Sequence, residues 1–472
     1  MVGISRKHLR GYMILIACIL LLLNLPTKAL SKRMTHVDKS NQKSCSILSL
    51  QKAFILAIRN NPLLEAQIEQ ENAAVYDVES ARSLFLPKVD MRETYARSDS
   101  PVQVFSSKLS QESFKGEDFQ IDRLNHPSAR TNLKTEVIVT QPIFNRGQEI
   151  FRYKTAKLLK EMNRLKVNQV KQQVLLSVQK AFTNWLLAIE KYKVIKKMVE
   201  TARESLRLAK SRYNKGAALK SDVLRYEVRL AGYRRELASA RNDIDIAISA
   251  LNLAMGVPPE TRWIPESSND DSINPGTFHQ WISLTKRNRP ELLYYKLNTE
   301  MARWCVKRTK MNFLPSLNFK GIYEHNTEGI GEASGDAFTL LGTAELNVFN
   351  GLGDRSEYKK ASAQLRSAEA YERKVQQEIM HQVQKAWLNL QTAKLQIEVT
   401  KKAVAQASES LRIIRNRYRN GLTIVTELLD TETALLDANL QHLKALYDYK
   451  LAWAEMKWAA GILKENQERK KQ

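Results

Sequence analysis

Ser211-Arg212-Tyr213-Asn214-Lys215-Gly216 leads into Ser221-Asp222-Val223-Leu224, then a long Ala/Leu/Arg-rich run that stops at Met255-Gly256-Val257-Pro258. The same text returns 205 residues later. Arg417-Tyr418-Arg419-Asn420-Gly421 matches Arg212-Tyr213-Asn214-Lys215-Gly216, Glu427-Leu428-Leu429 matches Asp222-Val223-Leu224, Glu432 matches Glu227, and Gly461 matches Gly256. A duplication held at one offset over this length means two copies of one supersecondary unit.

Working outward, Asn61-Pro62 is matched by Arg289-Pro290, and Phe85-Leu86-Pro87 by Phe313-Leu314-Pro315. Between the two prolines of each copy the pattern is helical, and the second proline ends it. After each Phe-Leu-Pro the period changes to two, predicting strands over 88–97, 132–143, 316–325 and 337–349. The last of these sets Phe338, Leu340, Gly342, Ala344, Leu346 and Val348 on an apolar face against Thr339, Leu341, Thr343, Glu345 and Asn347 on a mostly polar one. A barrel strand between lipid and water has this two-faced character, and so has a half-buried soluble strand. The first copy carries 23 extra residues between its strands, within Ser98 to Arg130, read as a long polar loop.

From Gln148 to Asn214 the chain has neither Pro nor Gly. As a helix this rod is about 100 Å long. Its seam runs Val174, Val178, Ala181, Trp185, Ala188, Tyr192, Ile195, Val199, Ala202, Leu206, Ala209 and Tyr213 at alternating spacings of four and three. The second copy repeats it from Ile379 to Tyr418, with Thr400 the one polar member. A sustained 3.5-residue period means left-handed coiling against a partner helix. Gly216 and Gly421 are the turn residues that break the rods. Ser221-Asp222 and Thr426-Glu427 then read as a capping hydroxyl followed by an acid in the first turn. Each return helix covers half of its rod, and the helix after Pro62 or Pro290 covers the other half.

Composition agrees with long helices: of 472 residues, 26% are charged and only 17 are Gly and 12 Pro. The net charge of +24 is dispersed and has no aromatic-interleaved patch, so it is read as solvated helix faces rather than a nucleic-acid surface. Arg6, Lys7 and Arg10 precede an apolar run from Tyr12 to Leu23, giving residues 1–29 the form of a signal peptide cleaved after Ala29. Leu15-Ile16-Ala17-Cys18 has the outline of a lipoprotein box, but the chain stays apolar beyond it. No later run is long and apolar enough for a transmembrane helix, so any crossing of a membrane is by strands. Cys45 and Cys305 have no metal-type spacing and are read as free thiols. No metal site, phosphate loop or nucleophile motif is present in the sequence, and no enzyme or cofactor is expected. The expected organisation is a flexible lead-in at 30–46, repeat one at 47–256, a linker at 257–276, repeat two at 277–461 and a basic tail at 462–472.

Phe-Leu-Pro before the first strand, with Arg-Tyr-x-x-Gly and Asp/Glu-x-Leu at the helical turn, occurs in both halves. In this the chain resembles the TolC-type outer-membrane efflux channels over about residues 47–461. The resemblance implies a mixed α/β membrane channel: a long antiparallel coiled-coil helical barrel continuous with a transmembrane β-barrel, assembled from three chains with four strands each. It implies a homotrimer embedded in outer-membrane lipid, whose periplasmic tunnel receives cargo from an inner-membrane pump through a periplasmic adaptor. At the entrance it implies acidic rings at Glu427 and Asp430, which stand three apart on one helix face. It also implies a Tyr that holds the entrance shut, at Tyr418, with its first-repeat acidic partner at Asp222. Where the better-known closed form has a basic residue, this chain has Thr423. Against these roles, Asp222 and Glu427 also fit as helix-start acids and Tyr418 as a core residue of the seam. Two other classes are weighed. A periplasmic adaptor would have one hairpin with a β-rich lipoyl-like domain between its arms. A purely structural envelope coiled coil would have no use for two-faced strands.

Overall fold

The computed structural model describes residues 46–266, 275–329 and 331–464. The expected signal peptide, the expected lead-in up to Cys45, and the expected basic tail beyond 464 lie outside the described residues, while Ser46 of that lead-in opens a strand. In chain order the elements are β1 (Ser46–Leu48), α1 (Leu50–Asn60), α2 (Pro62–Ser83), β2 (Lys88–Ser98), α3 (Pro101–Ser110), a 3-10 turn (Gly116–Phe119), α4 (Ile121–Asn125), β3 (Arg130–Asn145), α5 (Gln148–Asn214) and α6 (Lys220–Met255). The second copy follows with β4 (Trp263–Pro265), α7 (Phe278–Asn288), α8 (Pro290–Met311), β5 (Ser316–Thr327), β6 (Ser334–Glu345), α9 (Gly353–Arg419) and α10 (Val425–Ala459).

The rods α5 and α9 are each 67 residues long. The seam read from the sequence is the buried stripe: Val174, Val178, Trp185, Ile195, Val199 and Ala202 on α5, and Ile379, Val383, Leu390, Leu411 and Ile414 on α9. Thr400 sits in that stripe without an orphaned hydroxyl, because its Oγ1 donates to the Gln396 carbonyl at 2.7 Å. Each rod pairs with its own return helix, α5 with α6 and α9 with α10, and α10 also packs on α5. The lower helices therefore run in the order α9, α10, α5, α6. In the other half α2 lies on α5, while α8 lies between α5 and α9.

The two short helices of each copy meet end to end at a glycine. Gly256, at φ 71°, closes α6 against the Asn60 carbonyl, and Gly461, at φ 73°, closes α10 against Asn288. The residue before the next helix's proline completes each joint. Asn61 Nδ2 donates to the Ala254 carbonyl at 2.9 Å, and Arg289 Nη1 donates to the Trp458 carbonyl at 2.8 Å. The linker region is partly ordered, since Trp263–Pro265 pairs in parallel with Ser46–Leu48.

The four long strands form one antiparallel sheet in the order β2-β3-β5-β6. Cross-strand partners share a face. Val89, Val139 and Leu340 lie in one row, and Met91, Val137, Tyr323 and Phe338 in the next. Val89, Met91, Phe338 and Leu340 are all more than half exposed. The opposite face carries Lys88, Asp90, Arg92, Lys134, Glu136, Lys320 and Glu324, with Ile138 and Ile322 as an apolar pair among them. Lys134 bridges Glu136 at 2.9 Å and Glu324 at 2.8 Å. The last strand ends sooner than its alternation predicts. Its final pair is Glu345 with Ser316, and Pro315 leaves Leu346 to Phe349 without a partner strand. The expected polar loop in the first hairpin is a folded unit instead, with α3 and α4 around Phe105, Phe114 and Phe119.

Candidate functional site

The two helical turns lie at the ends of α5 and α9 farthest from the sheet. Both rods stop by the same device. Gly216 and Gly421 each take φ 73°, and the N–H of the following residue reaches back to the carbonyl five earlier: Ala217 to Arg212 and Leu422 to Arg417, both at 2.9 Å. This satisfies carbonyls that the helix end would leave open. The return helices begin at Lys220 and Val425, one residue before the expected caps. Leu219 and Ile424 are the N-cap residues and make no side-chain cap bond. Ser221 and Thr426 thus stand inside the first turn and do not cap. Asp222 and Glu427 remain in that turn, where the helix dipole favours an acid.

Glu427 and Asp430 are both exposed. The Thr423 hydroxyl donates to the Glu427 carboxylate, and Thr431 Oγ1 donates to the Glu427 carbonyl at 2.7 Å. At the position of the resembling channels' basic residue, Thr423 therefore makes a contact within its own turn. The Asp430 side chain is 71% exposed, and Arg229 approaches it only to 3.9 Å.

Behind this acidic face the four helices converge on one cluster: Ala209 of α5, Val223 and Tyr226 of α6, and Val425 and Leu429 of α10. Tyr418 of α9 packs against it, under the Arg212 guanidinium at 5.6 Å. Tyr226 lies beside Tyr418 in this cluster. Burial raises the Tyr226 pKa, and the neighbouring Tyr418 and Glu432 raise it further. Tyr418 thus meets a tyrosine of the first repeat, while the half-buried Asp222 lies near that tyrosine. Tyr213, the first-repeat counterpart of Tyr418, is 41% exposed, so the two copies are not equivalent here.

Sequence reasoning missed Glu432, which is 3% exposed. Its carboxylate faces Arg415 of α9 at 3.5 Å. Burial raises its pKa, and Arg415 and Arg229 pull it back. The signal was available, since Val425, Leu429, Glu432 and Leu436 are spaced four, three and four along α10. A charge within an apolar seam marks a buried polar contact. Tyr226 had no comparable signal, because an aromatic residue in a seam reads as ordinary core.

The profile of outer membrane efflux proteins matches residues 55–257 and 281–461, one stretch for each hairpin unit. The chain belongs to the outer membrane efflux protein family. It is an outer-membrane export protein, and the family is one of channels. The alkaline protease secretion protein AprF of Pseudomonas aeruginosa is 23% identical over 89% of this chain and 85% of its own. The proteases secretion protein PrtF of Dickeya chrysanthemi is 21% identical over 92% of each chain. The Campylobacter jejuni CmeC outer membrane channel superposes with a TM-score of 0.74 at 16% identity, over 89% of this chain and 87% of that one. That likeness shows a shared fold. Among the described residues no group of His, Cys, Asp and Glu is placed to hold a metal ion.

Proposed function

We propose that three copies of this chain close into one conduit across the outer membrane and periplasm, through which an inner-membrane pump and a periplasmic adaptor pass cargo to the exterior. The observation that carries this reading is that both layers of the protomer end on bare edges. The sheet leaves β2 and β6 open. The row of lower helices leaves α6 and α9 open, and each carries exposed apolar residues along one face: Leu224, Val228, Ile246 and Leu253 on α6, and Leu388, Leu395 and Val399 on α9. Unlike edges that meet head to tail close a ring. Three chains supply twelve strands, whereas the four of one chain fall short of the usual minimum of about eight. The apolar rows of Val89 and Met91 then face lipid, and the Lys134–Glu136–Glu324 network faces water. Such a conduit has no chemistry of its own; the pump supplies the energy. Two relatives matched over most of their length are named for protease secretion, so an extended polypeptide is the first cargo class to test.

In this assembly the turns form the periplasmic entrance. Glu427 and Asp430 make two acidic rings around it, with Asp222, Tyr226 and Tyr418 behind them. The chain is basic, yet charge at a narrow, low-dielectric constriction outweighs charge spread over distant surfaces. The conduit is therefore cation-selective. The test is single-channel recording in a planar bilayer, with wild type beside Glu427→Ala/Asp430→Ala. Wild type should give discrete steps, a reversal potential favouring cations and block by multivalent cations, and the double variant should lose that block. Wild-type reversal potentials favouring anions would refute the acidic entrance while leaving the conduit intact. An assembled oligomer that gives no steps, even when Tyr418→Phe loosens the turn, would refute the conduit.

A further inference from the structure

The segment between β2 and β3 does not project away from the sheet. Helix α3 packs against both β3 and β6, which are not neighbours, so it reaches across the outer end of the sheet. The face it covers is identified by three contacts. Gly335 has no room for a Cβ because the Ser110 carbonyl occupies that space. Gly335 pairs with Asn326, which pairs with Lys134, so all three share the charged face. Gln111, fully buried, donates from Nε2 to Asn132 Oδ1 and to the Thr131 carbonyl, both at 2.9 Å. Asn132 in turn donates to Asn326 Oδ1 at 2.9 Å.

The segment is held there and is firm in itself. Arg130 donates to Gln111 Oε1 and Ser113 Oγ, each at 2.7 Å, and pairs with Glu328 of the β5–β6 connection at 2.9 Å. Phe105 and Phe114, both half-buried, meet edge to face, the exposed Phe119 ring leans on Phe114, Val104 is buried, and Lys108 pairs with Asp118 at 2.5 Å. Aromatic contacts and a shielded ion pair make a small core of its own.

We propose that this segment, residues 101–125, is a fixed cap on the water-filled side of the sheet at its outer end. Three caps per assembly narrow the exit, so the conduit has a size filter at its mouth separate from the entrance at the helical turns. This rests on the reading of the charged face as lumenal, and the test separates the two. Thr339 lies on the charged face beneath the cap and Leu340 on the apolar face, both exposed in the protomer. In a background with Cys45 and Cys305 replaced by serine, Thr339→Cys and Leu340→Cys are each treated on intact cells with a small polar maleimide and with a bulky polyethylene-glycol maleimide.

With the cap present, the small reagent should label Thr339→Cys and the bulky one should not. Replacing residues 100–128 by a two-residue Asn-Gly turn should admit the bulky reagent, because Ser98 and Arg130 are already paired as a hairpin end. Gln111→Ala/Arg130→Ala, which frees the cap without shortening the chain, should do the same if the deletion fails to assemble. Leu340→Cys should stay unlabelled by either reagent. Rapid labelling of Thr339→Cys by the bulky reagent with the cap intact would overturn the filter but keep the lumenal face. Labelling of Leu340→Cys in place of Thr339→Cys would overturn both.

Discussion

Gly256→Ala is expected to cost about 4 kcal/mol, the sum of a left-handed backbone at a non-glycine residue and a methyl group forced into packed backbone. Gly256 sits at φ 71°, and its missing Cβ is the space taken by the Asn60 carbonyl. The joint it closes is where α6 ends and α2 begins, beside the cluster of Leu48, Phe54, Leu175, Trp185, Leu251 and Met255. Gly216→Ala is the control. Gly216 has nearly the same dihedral, φ 73°, but its Cβ would meet open space. It should cost only about 1 kcal/mol, the backbone strain alone. The measurement is the urea midpoint of helical circular dichroism for both variants, compared as differences because an oligomeric membrane protein has no simple two-state midpoint. Equal losses would mean that the close approach at Asn60 contributes nothing.

The second large effect belongs to Arg415. Replacing it by methionine leaves the Glu432 carboxylate buried without its nearest counter-charge, at a cost of about 3 kcal/mol near neutral pH. Arg229 is the remaining cation near that carboxylate, and Tyr226 and Tyr233 share its surroundings. The sign of the pH dependence follows from the shift. Burial raises the folded-state pKa of Glu432 above its ordinary 4.5. The folded state therefore holds the proton more tightly, and this group's effect on stability worsens as pH rises from the ordinary value through the raised one. Removing Arg415 raises the folded value further. Arg415→Met should accordingly regain stability on mild acidification, and Arg415→Met/Glu432→Gln should be close to wild type and insensitive over that range. The readout is the thermal midpoint at several pH values. An Arg415→Met loss that is equally large in mild acid would show that lost packing, not the uncompensated carboxylate, is the cause.

Much of the architecture was legible because it is written in local periods. The 4-3 seams of α5 and α9, the prolines at 62 and 290, and the glycines at 216 and 421 each act within a turn or two of helix. Their positions along the chain therefore locate rods, helix starts and turns. Misreadings arose where the outcome depends on a partner. The alternation of Leu346 and Val348 continues that of Phe338 and Leu340, but a strand exists only where another pairs with it, and β5 starts at Ser316. Ser221 and Thr426 are good capping residues placed two positions after the actual caps, Leu219 and Ile424. The chain between Ser98 and Arg130 reads as polar because its three phenylalanines are widely spaced, and their rings touch only when the segment folds back on itself.

The entrance candidates divide in the same way. Glu427 and Asp430 could be placed on one exposed face from their spacing, since helix geometry alone sets that relation. That Tyr418 meets Tyr226, and that Glu432 is buried beside Arg415, depends on how α6, α9 and α10 are rotated about their own axes where four helices converge. The sequence by itself determined the duplication, the rods, the turns and the two faces of the strands, because these rest on short-range backbone geometry and hydrophobic period. Only the tertiary structure decided which side chains of the two repeats touch and which face of the sheet the cap covers, because those contacts join residues far apart in the chain through packing that no local pattern encodes.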